Sequence, residues 1–126
     1  MNYDNKLPIY QQIIDNILLS IAKGELKPGE RVAPVREMAA NFKVNPNTMQ
    51  RSLAKLEDMG YLFTERTSGR YVTTDLGIVV RLKAKLPEQI TERYVDEMLD
   101  YGMEKEAITD YIRRYIERMD GNESNS

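Results

Sequence analysis

Apolar side chains recur at three- and four-residue spacing in five stretches of this chain, and a sixth stretch is rich in aromatic and β-branched residues. Tyr10, Ile13, Ile14, Ile17, Leu18 and Ile21 give a first helix one apolar face; Pro8 suits its first turn and Gly24 stops it. Leu26-Lys27-Pro28-Gly29-Glu30 reads as a turn, and Arg31-Val32 is long enough only for an edge strand. A second helix runs from Val35 to Phe42, with Pro34 at its first position and Val35, Met38, Ala39 and Phe42 facing inward. Lys43-Val44 then make a tight turn into a third helix. There, Met49, Leu53 and Leu56 form the apolar stripe, with Ser52 and Ala54 as small fillers.

The third helix carries the most information. Asn45 can cap its free amides, Pro46 follows where a missing N–H costs nothing, and Gly60 ends it in the left-handed conformation. Asn47, Thr48, Gln50, Arg51 and Lys55 remain for the polar side and the first turn, and all can meet base edges or phosphates. No acidic residue stands between Glu37 and Glu57, whereas Lys43, Arg51 and Lys55 do. Two short helices joined by so small a turn form a helix-turn-helix, whose second helix enters the major groove.

After Gly60, Tyr61 to Arg66 and Arg70 to Thr74 flank Thr67-Ser68-Gly69, which predicts a β-hairpin. A helix-turn-helix followed directly by a hairpin is a winged helix. In that arrangement Gly69 and Arg70 approach the minor groove beside the one read by the helix. A plain core helix explains the spacing but not the order of elements. A winged-helix protein–protein adaptor that does not bind DNA is the other reading, although it needs neither an arginine-bearing helix face nor a glycine in the wing.

Composition narrows the class. With 41% hydrophobic and 30% charged residues, no transmembrane run and no leader pattern, the expectation is a globular cytoplasmic protein with no membrane association. The chain has no cysteine and no histidine, which removes disulfides, thiolate zinc sites and the commonest general base. No phosphate cradle, nucleophile elbow or metal spacing is present, so neither catalysis nor a cofactor is expected. Glu88, Glu92, Asp96, Glu97 and Asp100 read as a solvated helix surface. Residues 1–74 hold ten Lys/Arg against eight Asp/Glu, and residues 75–126 hold eight against twelve, so the nucleic-acid-facing half comes first.

The segments P8-I-Y-x-Q-I, G24-E-L-K-P-G-E, V35-R-E-M-A, V44-N-P-N-T, L56-E-D-M-G-Y and G69-R-Y-V follow one another in an order and spacing that resemble the amino-terminal domain of GntR-family transcription regulators. Asn-Pro-Asn-Thr before the third helix, with the short remainder, is similar to the YtrA-type branch. The resemblance implies a dimeric regulator, most often a repressor, on a palindromic operator of double-stranded DNA. It also implies contacts from Arg36, Asn45, Asn47, Thr48, Gln50, Arg51 and Gly69. Where the family has Leu-Pro-Ser before the second helix, this chain has Val32-Ala33-Pro34 and so lacks that hydroxyl.

Residues 75–120 are expected to be helical and to follow a DNA-binding domain of residues 1–74, with residues 121–126 as a disordered tail. Leu82, Leu86, Ile90, Tyr94, Val95, Met98 and Leu99 keep one register, with Pro87 predicting a kink or break and Gly102 a stop. Ile108, Tyr111, Ile112, Tyr115, Ile116 and Met119 form the stripe of the last helix. Two helices so striped cannot bury both faces alone, so this region is read as the dimerisation region and as the place for any small-molecule effector, whose identity the sequence does not supply. The fold class is therefore mainly α with a small β-hairpin: a winged helix-turn-helix followed by a two-helix dimerisation region.

Overall fold

The computed structural model describes residues 7–124, with side chains described up to residue 121. The elements are α1 (Ile9–Lys23), α2 (Val35–Phe42), α3 (Pro46–Asp58), β1 (Leu62–Glu65), β2 (Gly69–Val72), α4 (Leu76–Asp100) and α5 (Lys105–Ser124). All five expected helices and the hairpin are present. The chain divides into two compact units, residues 1–86 and 87–126.

In the first unit, Ile13, Ile14, Ile17 and Ile21 of α1 meet Met49, Leu53 and Leu56 of α3, and Met38 and Ala39 of α2 close the core from a third side. The hairpin adds Leu62 and Val72. β1 and β2 pair antiparallel from Leu62↔Val72 to Glu65↔Gly69, and Arg31 forms a single bridge to Tyr71 as the short edge segment expected. This unit extends past residue 74, because Val79 and Leu82 of α4 belong to the same core and Leu86 packs against it. The reason is visible in the pattern: Val79, Leu82 and Leu86 fall at three- and four-residue spacing and present one apolar face to the winged helix.

Two helix starts differ from expectation. Pro8 and Pro34 stand at the cap positions of α1 and α2, with extended ψ of 144° and 153°, rather than inside the first turn. Neither supplies a side-chain cap, as the loss of the serine before α2 implies. Asn45 does cap α3, with Pro46 directly after it. The end of α3 is closed by Gly60 N–H to Glu57 O (2.9 Å) and Tyr61 N–H to Leu56 O (3.0 Å), which requires the positive φ of 87° at Gly60. Lys43 closes α2 in the same way with φ 57°, the single positive-φ residue other than glycine among the described residues. That conformation costs a residue with a side chain about 1 kcal/mol, and it turns the chain out of α2.

Pro87 lies inside α4 and does not break it. It deprives the carbonyl of residue 83 of its usual partner, yet a helix of 25 residues retains the remaining bonds on either side. The Thr91 hydroxyl donates to the Pro87 carbonyl at 2.8 Å. α5 continues to Ser124, past the Gly121 expected to begin a tail. An isolated glycine weakens a helix by about 1 kcal/mol without ending it. Residues 125 and 126, the rest of that expected tail, lie outside the described residues. No described helix is long and apolar enough to cross a membrane.

Candidate nucleic-acid interface

The core residues of α3 fix which of its residues face outward. Met49, Ser52, Leu53 and Leu56 are buried. At 3.6 residues per turn, Asn47, Arg51 and Ala54 then stand on the opposite side. Asn47, Gln50, Arg51 and Lys55 are exposed, as are Asn45 at the cap and Arg36 in the first turn of α2. Thr48 is half-buried. The structure thus brings seven of the nine expected DNA contacts onto α2, α3 and the cap between them, with a free edge at all but Thr48. Asn45 already uses its side-chain oxygen: Oδ1 accepts from the Asn47 N–H at 2.8 Å. Its amide NH₂ is the group left for a nucleic acid.

The seat of α3 is fixed from within. The Ser52 hydroxyl, fully buried, is shared between the carbonyl of Thr48 (3.0 Å) and that of Tyr10 in α1 (3.1 Å). Among the described residues, no buried side-chain nitrogen or oxygen lacks a partner. A polar residue at the centre of the core therefore costs little, and it locks α3 against α1 in one register.

The wing departs from expectation in two places. Arg70 turns inward: its Nε lies 3.3 Å from Glu57 Oε1, with side-chain exposures of 17% and 27%. The Thr64 hydroxyl donates to the same carboxylate. Glu57 thus gathers one group from each strand and ties the hairpin to the carboxyl-terminal half of α3, so Arg70 acts here as a brace. Gly69 is the first residue of β2, paired with Glu65, and the tip itself is Arg66-Thr67-Ser68. Its φ of 125° excludes most side chains, and a Cβ there would stand 3.2 Å from Arg31 Nε. The glycine makes room for the Arg31 guanidinium.

Two cations were therefore missed, Arg31 beside the wing and Arg66 at its tip, both exposed. The signal for Arg31 was its alternation with buried Val32, and for Arg66 its place next to Thr67-Ser68. The tip is held by the Tyr71 hydroxyl, which donates to Ser68 Oγ at 2.9 Å, and by Phe63 stacked on Tyr71 with ring centroids 5.7 Å apart. Arg31, Pro34, Thr64, Gly69 and Arg70 border a cleft of about 280 Å³ between the start of α2 and the wing. Exposed cations and free polar edges on α2, on α3 and at the wing tip form a surface made for a polyanion. No cluster of three metal-ligating side chains exists among the described residues.

The second unit is built differently. In α5, Tyr111, Ile112, Tyr115, Ile116 and Met119 are between 40% and 54% exposed, while Ile108 is 4% exposed. Ile108, expected in the same stripe, is already covered within its own chain. It lies in the first turn of α5, nearest the connection from α4, and is not available to a partner.

Comparison with known proteins agrees with this arrangement. The family of bacterial regulatory proteins called gntR matches residues 9–72. The uncharacterized HTH-type transcriptional regulator YhcF of Bacillus subtilis is 37% identical over 91% of this chain and 95% of its own length. The HTH-type transcriptional repressor YtrA of the same organism is 30% identical over 94% and 92%. A GntR family transcriptional regulator from Listeria monocytogenes superposes with a TM-score of 0.76 at 35% identity, covering 89% of this chain and 98% of that one. These three relatives are named as transcriptional regulators or repressors. Winged-helix fold and sequence agree: this chain belongs to the GntR family of bacterial transcription regulators.

Proposed function

We propose that two copies of this chain pair through the exposed apolar faces of the second unit and bind a palindromic operator as a cytoplasmic repressor. The observation that carries the reading is the outward side of α3, where exposed Asn47, Gln50, Arg51 and Lys55 stand opposite a fully packed core. In this reading Asn47, Gln50 and Arg51 address the major groove, with Thr48 and the amide of Asn45 at the entry of the helix. Arg36 and Lys55 hold phosphates. Arg66 and Gly69 bring the wing to the neighbouring minor groove. One such module makes few base contacts and binds weakly, so pairing is part of recognition.

The name of the relative YtrA, a transcriptional repressor, supports repression over activation. The five exposed apolar side chains of α5 support pairing, since a contiguous apolar stripe on a soluble surface usually marks an association site. The test is a gel-shift titration of the protein with DNA from upstream of its own gene, beside sedimentation equilibrium. The reading expects a retarded band that survives competitor DNA and a dimeric mass. Absence of retention on any upstream fragment would favour the protein–protein adaptor.

A further inference from the structure

Tyr10 of α1 touches the outward side of α3, although nothing in the recognition face itself includes it. The guanidinium carbon of Arg51 lies 3.9 Å from the centroid of the Tyr10 ring. The backbone beneath the ring is pinned as well, because buried Ser52, the next residue after Arg51, bonds the Tyr10 carbonyl at 3.1 Å. Ring and guanidinium are therefore held in register across a single residue of α3. Arg51 forms no ion pair with a carboxylate among the described residues. Among the described residues, the Tyr10 ring is the side chain over which its guanidinium lies.

A guanidinium lying over an aromatic ring keeps its N–H donors at its own edge, in a planar fork that acceptors can reach from beside the ring. An exposed arginine without such a support samples many rotamers and must lose that freedom when it binds. The geometry points to Tyr10 as a positioning residue for DNA recognition: its ring holds Arg51 in one orientation on the outer side of α3, so that the fork meets DNA already ordered. This rests on the proposal that α3 reads DNA. It adds a residue from α1, a helix that the recognition surface otherwise uses only as a support.

The experiment uses the full chain and a labelled duplex enriched from a random pool by the wild-type protein. Tyr10→Leu keeps apolar bulk and removes the ring, whereas Tyr10→Phe keeps the ring. Tyr10→Leu should weaken binding about three- to tenfold, and Tyr10→Phe should retain most of the affinity. In an Arg51→Ala background, Tyr10→Leu should change affinity no further. The Arg51 Nε–H resonance of the free protein reports the stack without DNA, and it should lose its ring-current shift in Tyr10→Leu. Equal losses from Tyr10→Leu in both backgrounds would overturn the proposal, because the tyrosine would then act independently of Arg51. So would a resonance that does not move. A wild-type protein that enriches no duplex would overturn the DNA-reading proposal first, and this one with it.

Discussion

The two units of the chain have equally regular apolar stripes and use them in opposite ways. In the first, the stripes of α1, α2 and α3, together with the start of α4, all end in one core, and Ile13, Met49, Leu53 and Leu56 are fully buried. In the second, α5 has a stripe as well spaced as that of α1, yet five of its members stay exposed. Helical periodicity says that a face is apolar; it does not say whether the cover comes from the same chain. A unit that closes on its own apolar faces can serve as a rigid reading head. One that leaves them open is suited to join a second copy.

The widest separation between the units is expected from Ile112→Asp combined with Ile116→Asp. Two carboxylates cannot be buried in an apolar contact without a cost of several kcal/mol, so pairing should be abolished and operator affinity should drop on the order of a hundredfold or more. The thermal transition of residues 7–86 should persist. Sedimentation equilibrium beside a binding titration checks both parts, and a double mutant that remains dimeric would move the junction off α5. In the first unit, Leu53→Ala should instead remove about 2–5 kcal/mol of stability, because Leu53 is fully buried between α1 and α3. Denaturant unfolding reads that loss, and a midpoint within error of wild type would mean that the core is not closed as described.

Within the reading head the effects are smaller and separate by kind. Arg51→Ala should cost about 1–3 kcal/mol of specific binding if the guanidinium reads a guanine edge. If it holds phosphate, affinity should drop evenly across sequences, with the salt slope reduced by about one. An unchanged affinity and slope would remove Arg51 from the interface. The wing offers the finest contrast. Arg70→Ala should lower stability by about 1 kcal/mol through loss of the bond to Glu57, whereas Arg66→Ala should leave stability alone and reduce the salt slope by about one. Thermal melts and salt-dependent titrations of the two variants would contradict this assignment if their effects were exchanged.

That contrast also shows what was legible in the sequence. The helices, the hairpin, the cap at Asn45 and the stop at Gly60 follow from local spacing and local backbone needs, and the structure has all of them, with the starts of α1 and α2 and the end of α5 shifted. Tertiary partners are another matter. Arg66 and Arg70 look alike on the page, and only the path of the hairpin across α3 sends one to Glu57 and leaves the other at the tip. Tyr10 reads as the first member of a core stripe, and its contact with Arg51 depends on how α1 crosses α3. Gly69 was legible as a special backbone position, but its neighbour Arg31, far away along the chain, was not. Pro87 predicts a kink or break from local backbone needs, and the helix nevertheless continues through it. Its position does coincide with the boundary between the two units.

Pairing of two copies and reading of DNA by α3 would both be visible in the symmetry of the duplexes that the protein selects. Duplexes enriched by the full chain from a random pool, sequenced after several rounds, report it directly. Two paired reading heads predict an inverted repeat whose half-site centres lie about 10–10.5 base pairs apart, or a multiple of that spacing. Enrichment of a single asymmetric half-site, or of no sequence at all, would contradict the central claim.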